Sequence, residues 1–142
     1  MYATHKIGVM VSKDSMYWAD LAEDLKDPEF LRQFVLESIR IDTIDSIVNQ
    51  LEDARATAGL TKADLARAIA AEPATVRRLL SQASRSNPTL GTLAELAAAL
   101  GYRVSLEPVE VVAEPVARAL QTGTTDDAQE LAAAVRELAA AV

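Results

Sequence analysis

"TKADLARAIAAEPATVRRLL" occupies residues 61–80. It holds two short apolar patterns, Leu65-Ala66-Ile69 and Val76-Leu79-Leu80, separated by Ala70-Ala71-Glu72-Pro73. An adjacent arginine pair, Arg77-Arg78, lies in the second pattern. Thr61 is a natural N-cap for a helix over Lys62–Ala70, because its hydroxyl can accept from an amide of the first turn that has no helical partner. Pro73 can open a second helix through Ser81, since the amide that proline lacks would be unpaired at that position anyway. The spacing therefore predicts two small helices in quick succession, and the rest of the chain must say what they are for.

At 142 residues the chain has room for one domain with extensions. Half of it is apolar, enough for a sizeable core, although alanine supplies much of that share and buries little per residue. The absence of cysteine excludes disulfides and cysteine-based metal or redox sites. One histidine, His5, leaves little for zinc or triad chemistry. The start, MYATHKIGVMVSKDSMYW, is broken by Lys6 and Lys13, and no apolar run approaches the ~18 residues of a membrane span. These features predict a soluble, cytoplasmic protein with no membrane association.

A net charge of −7 looks wrong for a nucleic-acid binder, but the charge is segregated. Residues 1–54 carry five basic against eleven acidic side chains, a net of −6. Residues 55–105 carry seven basic against three acidic, a net of +4, and residues 106–142 two against seven, a net of −5. A basic middle between acidic flanks can meet phosphates whatever the total, because screening limits long-range repulsion to about 8–10 Å.

Around the opening stretch the punctuation is regular. Lys6–Ser12 reads as a short strand or an ordered arm. Met16, Tyr17 and Trp18 hold most of the scarce aromatic mass. Asp27-Pro28-Glu29 reads as a helix start, with Asp as cap, Pro first and an acid in the first turn. Phe30, Leu31, Phe34, Val35 and Ser38/Ile39 then follow helical spacing. Ile44, Ile47, Val48, Leu51, Ala54 and Ala58 do the same along a longer helix that stops at Gly59. Ser84-Arg85-Ser86-Asn87-Pro88 is a polar turn cluster. Thr89 caps a further helix carrying Leu90, Leu93, Leu96, Ala97 and Leu100, and Gly101 terminates it. Tyr102–Leu106 alternates in the manner of a strand and stops at Pro108. Val109–Gln121 reads as partly helical, interrupted by Pro115, and Thr122-Gly123-Thr124 as a linker. Thr125-Asp126-Asp127 caps a last helix with Leu131, Ala134/Val135, Leu138 and Val142 on one side.

Two helices in this relation can form a helix-turn-helix. Ala66 supplies the small residue where the second helix crosses the first. Leu65, Ile69, Val76 and Leu79 are apolar anchors in phase. On a helix opening at Pro73, Ala74, Arg77, Arg78 and Ser81 fall away from those anchors, together with Thr75. Arginine suits such a place because its planar fork pairs with guanine O6 and N7, worth roughly 1–3 kcal/mol of discrimination per good pair. Lys62 at the mouth of the first helix, with Ser84 and Arg85 in the loop beyond the second, would hold phosphates and set register.

These residues carry a family resemblance. Residues from about 43 to 106 resemble the Xre-type helix-turn-helix of the phage-repressor and Cro class, and within it the HigA-like antitoxins of bacterial toxin–antitoxin modules. The runs that match are "GLTKADLARAIAAEPATVRRLLS" and "NPTLGTLAELAAALGYRVSLEP", with "DLKDPEFLRQFVLESI" as a similar lead-in. The resemblance covers about 80 residues and leaves out the first 20 and the C-terminal tail. It implies a homodimer that binds double-stranded DNA at a palindromic operator, represses its own operon, and neutralises a HigB/RelE-like ribonuclease toxin encoded beside it. Carried over by position, Lys62 matches a phosphate-contacting residue, and Ala74, Arg77, Arg78 and Ser81 match groove-facing ones. Three positions depart from the family pattern. Ala70 stands where the turn usually holds glycine, at a cost of about 1 kcal/mol if the backbone is left-handed there. Glu72 replaces a serine-like cap, and Pro73-Ala74 leaves the start of the second helix poor in hydrogen-bonding groups.

The expected fold is all-α: a five- to seven-helix Xre/Cro-like domain at residues 43–108, with a short C-terminal β-strand. Helical extensions, acidic over 1–42 and again over 109–142, flank it. The acidic clusters Glu23/Asp24/Asp27/Glu29 and Asp126/Asp127/Glu130 are ordinary helix N-terminal acids. No nucleophile–base pair, phosphate loop, metal set or cofactor site is expected, and hence no enzyme. The Met16/Tyr17/Trp18 group fits a core, a dimer contact or a toxin anchor, and the last helix fits its own domain or a groove on a partner. Two other functions stay open: a phage or host regulator of the Cro/repressor type with no toxin, and a helical adaptor without DNA binding.

Overall fold

The longest element follows from an absence of breakers. A computed structural model describes residues 15–81 and 87–139 of the chain. In it one helix, α2, runs unbroken from Pro28 to Ala58. Its start is the expected one: the Asp27 carboxylate accepts from the Glu29 amide at 3.1 Å, and the Asp27 carbonyl from the Leu31 amide at 2.9 Å. The two apolar runs around Val35 and Val48 read in the sequence as separate helices. Nothing between them contains glycine or proline, so backbone pairing continues through the polar centre. The helix ends where Gly59 takes φ 70°. There the Gly59 amide donates to the Ala56 carbonyl at 3.1 Å and the Leu60 amide to the Arg55 carbonyl at 3.2 Å. That pair of reverse bonds satisfies carbonyls the helix would otherwise leave open.

Residues 15–24 form α1, and five further helices follow α2: α3 (Lys62–Ala68), α4 (Pro73–Ser81), α5 (Leu90–Ala99), α6 (Glu110–Thr122) and α7 (Ala128–Ala139). Among the described residues there are seven helices and no strand. The strand expected at Tyr102–Leu106 is therefore not formed: residues 102–109 have no regular structure. A strand needs a neighbouring ladder, and none of the described chain supplies one. The Tyr102 amide instead bonds back to the Ala97 carbonyl at 2.8 Å, closing α5. Pro115 does not interrupt α6, which passes through it. The arm expected at Lys6–Ser12 lies outside the described residues.

The chain divides into two compact units, one of residues 40–108 and one that joins the residues up to 39 with 109–138. In the first, Ile44, Val48 and Leu51 of α2 bury with Leu65 and Ala66 of α3, Val76, Leu79 and Leu80 of α4, and Leu93, Leu96 and Ala97 of α5. In the second, Leu21 and Leu25 bury with Leu31 and Val35 of α2, Val116 and Ala119 of α6, and Leu131, Ala134 and Val135 of α7. The acidic N-terminal extension and the acidic tail thus share one apolar core. The tail starts its last helix as its sequence implied, with the Asp127 carboxylate accepting from the Gln129 and Glu130 amides at 2.9 and 3.2 Å.

Candidate nucleic-acid interface

The site is built outward from the end of α2. Glu52 and Arg55, three residues apart on that helix, form a two-pronged pair at 3.0 and 2.6 Å. A third guanidinium donor of Arg55 reaches the Leu60 carbonyl at 2.6 Å, so this pair also fixes the chain as it enters the next helix. Arg55 is the main reason the Glu52 carboxyl sits below its usual range. Burial works the other way, and the nearby positive charge of Lys62 adds to the lowering. Sequence reasoning missed the role of Glu52 and Arg55; the signal was a Glu-x-x-Arg spacing one turn before a helix-ending glycine.

Thr61 then caps α3 in both directions. Its hydroxyl accepts from the Asp64 amide at 3.0 Å, while the Asp64 carboxylate accepts from the Thr61 amide at 3.0 Å. These bonds to Thr61 lower the Asp64 carboxyl from its usual range. Such a reciprocal box fixes the first turn of a seven-residue helix that could not hold itself. At the other end the Ala70 amide donates to the Arg67 carbonyl at 3.2 Å and the Ala71 amide to the Ala66 carbonyl at 2.9 Å. This is the closure used at Gly59 and Gly101, but here the left-handed residue is alanine, with φ 54°. The doubt raised by the sequence at Ala70 thus falls on a backbone that does require positive φ.

The Glu72 carbonyl accepts from the Thr75 and Val76 amides at 3.0 and 3.3 Å, and α4 begins. Val76, Leu79 and Leu80 are buried. Ala74, Thr75, Arg77, Arg78 and Ser81 are all exposed, and Ala74, Arg77, Arg78 and Ser81 follow one another at three- and four-residue steps. Neither Arg77 nor Arg78 has an ion-pair partner among the described residues. The Ser81 hydroxyl donates to the Arg77 carbonyl at 2.6 Å, which leaves its oxygen as an acceptor. Lys62 is half-buried at the start of α3, close enough to Glu52 for their charges to interact. Ser84 and Arg85 lie outside the described residues. This helix face presents two exposed guanidinium groups, neither with an ion-pair partner among the described residues, beside small neighbours, the residue types that a groove lined with acceptors would take.

Residues 50–105 match the Cro/C1-type HTH DNA-binding domain. No curated protein and no solved structure matches the chain. The HTH match begins within α2 at Gln50, takes in α3, α4 and α5, and ends at Ser105. It therefore contains every described residue singled out above, from Glu52 to Ser81. The whole of the second unit, with α1, α6 and α7, lies outside it. No helix among the described residues is long and apolar enough to cross a membrane.

Proposed function

We propose that this protein is a transcriptional regulator that reads double-stranded DNA with the exposed face of α4. Arg77 and Arg78 approach base edges, with Ala74, Thr75 and Ser81 beside them, while Lys62, Ser84 and Arg85 hold the backbone. The observation that carries this reading is the division of α4: three apolar side chains are buried, and two arginines without ion-pair partners among the described residues are exposed, inside a segment that matches a DNA-binding domain. A homodimer would set two such helices about one DNA turn (~34 Å) apart on a palindromic operator. The test is binding to the DNA upstream of the protein's own reading frame, over a salt series, with wild type and Arg77→Ala/Arg78→Ala. The wild type should bind with an affinity that falls steeply as salt rises, and the double variant should lose most of its specific binding. Equal binding by the two proteins would sink the proposal.

A more specific reading, that the regulator is a HigA-like antitoxin, is supported by the likeness of the run Asn87–Pro108 to that subgroup and by the second unit. Over residues 15–39 and 109–138 that unit carries twelve acidic against four basic side chains, a net of −8, which suits a basic toxin. Under this reading a small basic protein is encoded in the adjoining frame, and co-expression with the present chain relieves its toxicity. A neighbouring frame whose product is harmless, or whose toxicity this chain leaves unchanged, would leave the regulator without a toxin.

A further inference from the structure

The two ends of α4 offer opposite chemistry. Its first turn exposes Pro73, Ala74 and Thr75, where the Thr75 hydroxyl is the only side-chain group able to hydrogen-bond. Proline contributes no amide either. One turn further on, Arg77 and Arg78 are exposed, have no ion-pair partner among the described residues, and are pure donors. Ala74 lies three residues before Arg77 and four before Arg78, so it shares their side of the helix. Thr75 lies three before Arg78. Nowhere does α4 hold an Asn or Gln, the side chains that give and accept at once. The poverty of this front in hydrogen-bonding groups is selective, because what remains exposed there is methyl groups.

Each base edge in the major groove asks for a different complement. Adenine asks for a paired acceptor and donor, as in an amide, and guanine for the two donors of a guanidinium fork. Thymine alone among the four bases presents an apolar group, its C5-methyl, which alanine and the threonine methyl contact. We propose that Ala74 and Thr75 read the C5-methyl group of a pyrimidine, and that Arg77 or Arg78 reads a guanine close beside it. Three to four residues of helix advance about 4.5–6 Å, against about 3.4 Å for one base-pair step. The methyl-bearing pyrimidine and the guanine therefore stand within about two steps of each other. Ala74 is short enough to let the helix come into contact with the methyl group, where a longer side chain would hold it away. 5-Methylcytosine carries the same group as thymine, so the chemistry read is common to two bases. The inference rests on α4 being the element that meets DNA, and goes beyond it by naming what each end reads.

The probe is duplex DNA that the full chain selects from random-sequence pools, one with the four ordinary bases and one with 5-methylcytosine replacing cytosine. A thymine should recur close to a guanine in the first pool. In the second, retention of that thymine makes thymine the source of the methyl group, and its replacement by 5-methylcytosine makes the modified base the source. Exchanging the selected thymine for deoxyuridine removes the methyl group alone, and should weaken wild-type binding about three- to fivefold. Ala74→Gly/Thr75→Ser should bind the two duplexes equally while still requiring the guanine. The deoxyuridine comparison needs only the wild-type chain, so it decides even where that variant folds poorly. Equal wild-type affinity for the thymine and deoxyuridine duplexes, or selected sites without a recurrent methyl-bearing pyrimidine in either pool, overturns the inference and leaves the regulator standing. Pools that yield no preferred sequence overturn both.

Discussion

Ala70 holds a left-handed backbone that an L side chain resists. Gly59 and Gly101 occupy the same place in the same closure at the ends of α2 and α5, with φ 70° and 84°. A Cβ built at either of those glycines meets nothing within 4 Å, so the space is open and the cost is the backbone's own. That cost is about 1–2 kcal/mol for an alanine. Glycine would recover it but would loosen the unfolded chain, which offsets about 0.4–1 kcal/mol. Ala70→Gly should therefore stabilise the fold by about 0.5–1 kcal/mol, raising Tm by roughly 2 °C in thermal unfolding. A variant less stable than wild type would show that the turn gains more from its methyl group than the strain costs. This position was legible in advance, since the turn chemistry of a helix-turn-helix is local. The neighbouring Glu52–Arg55 pair was not, since its third bond, to the Leu60 carbonyl, depends on where the chain turns.

At the scale of elements, the same left-handed conformation meets a different environment at Gly123, which ends α6 with φ 72°. Its amide donates to the Ala119 carbonyl at 2.9 Å. A Cβ there would sit 2.6 Å from Cβ of Pro28 and 3.2 Å from its Cα, at the rigid first residue of α2. Arg32 ties the same two elements together, its Nε donating to the Leu120 carbonyl at 3.0 Å. Gly123→Ala combines backbone strain with a steric clash that neither proline atom can relieve by rotation. It should cost about 3 kcal/mol, against the gain expected from the reverse change at Ala70. The check is the urea midpoint, and a loss below about 1 kcal/mol would mean that α6 and α2 part there without penalty. In the sequence, Thr122-Gly123-Thr124 read as a mere linker. Glycine signals freedom of φ, but a close approach by a residue 95 positions earlier leaves no local trace.

At the scale of the whole molecule, the two units differ in how far the sequence disclosed them. The unit of residues 40–108 could be followed almost residue by residue. Its caps at Thr61 and Thr89, its stops at Gly59 and Gly101 and its inward residues Leu65, Val76 and Leu96 all lie within one stretch of chain. The other unit was seen only as two acidic ends. Helical spacing marked Leu31 and Val35 as one apolar face and Leu131 and Val135 as another, but a face does not name its partner across 100 residues. Charge did separate the regions. Residues 55–105 carry a net of +4, as the proposed contact with phosphate requires, and the second unit a net of −8, as the proposed basic partner would.

The match to the Cro/C1-type domain starts at Gln50, in the middle of α2, and that has a practical consequence for anyone wishing to graft this unit onto another protein. A graft cut at the edge of the family resemblance would leave behind Ile44 and Val48, two side chains buried in the domain's own core. Each is worth about 1.5–3 kcal/mol of burial. The transferable piece begins at residue 40 and carries the rest of α2 with it. The boundary of inheritance and the boundary of cohesion differ here by about three helical turns.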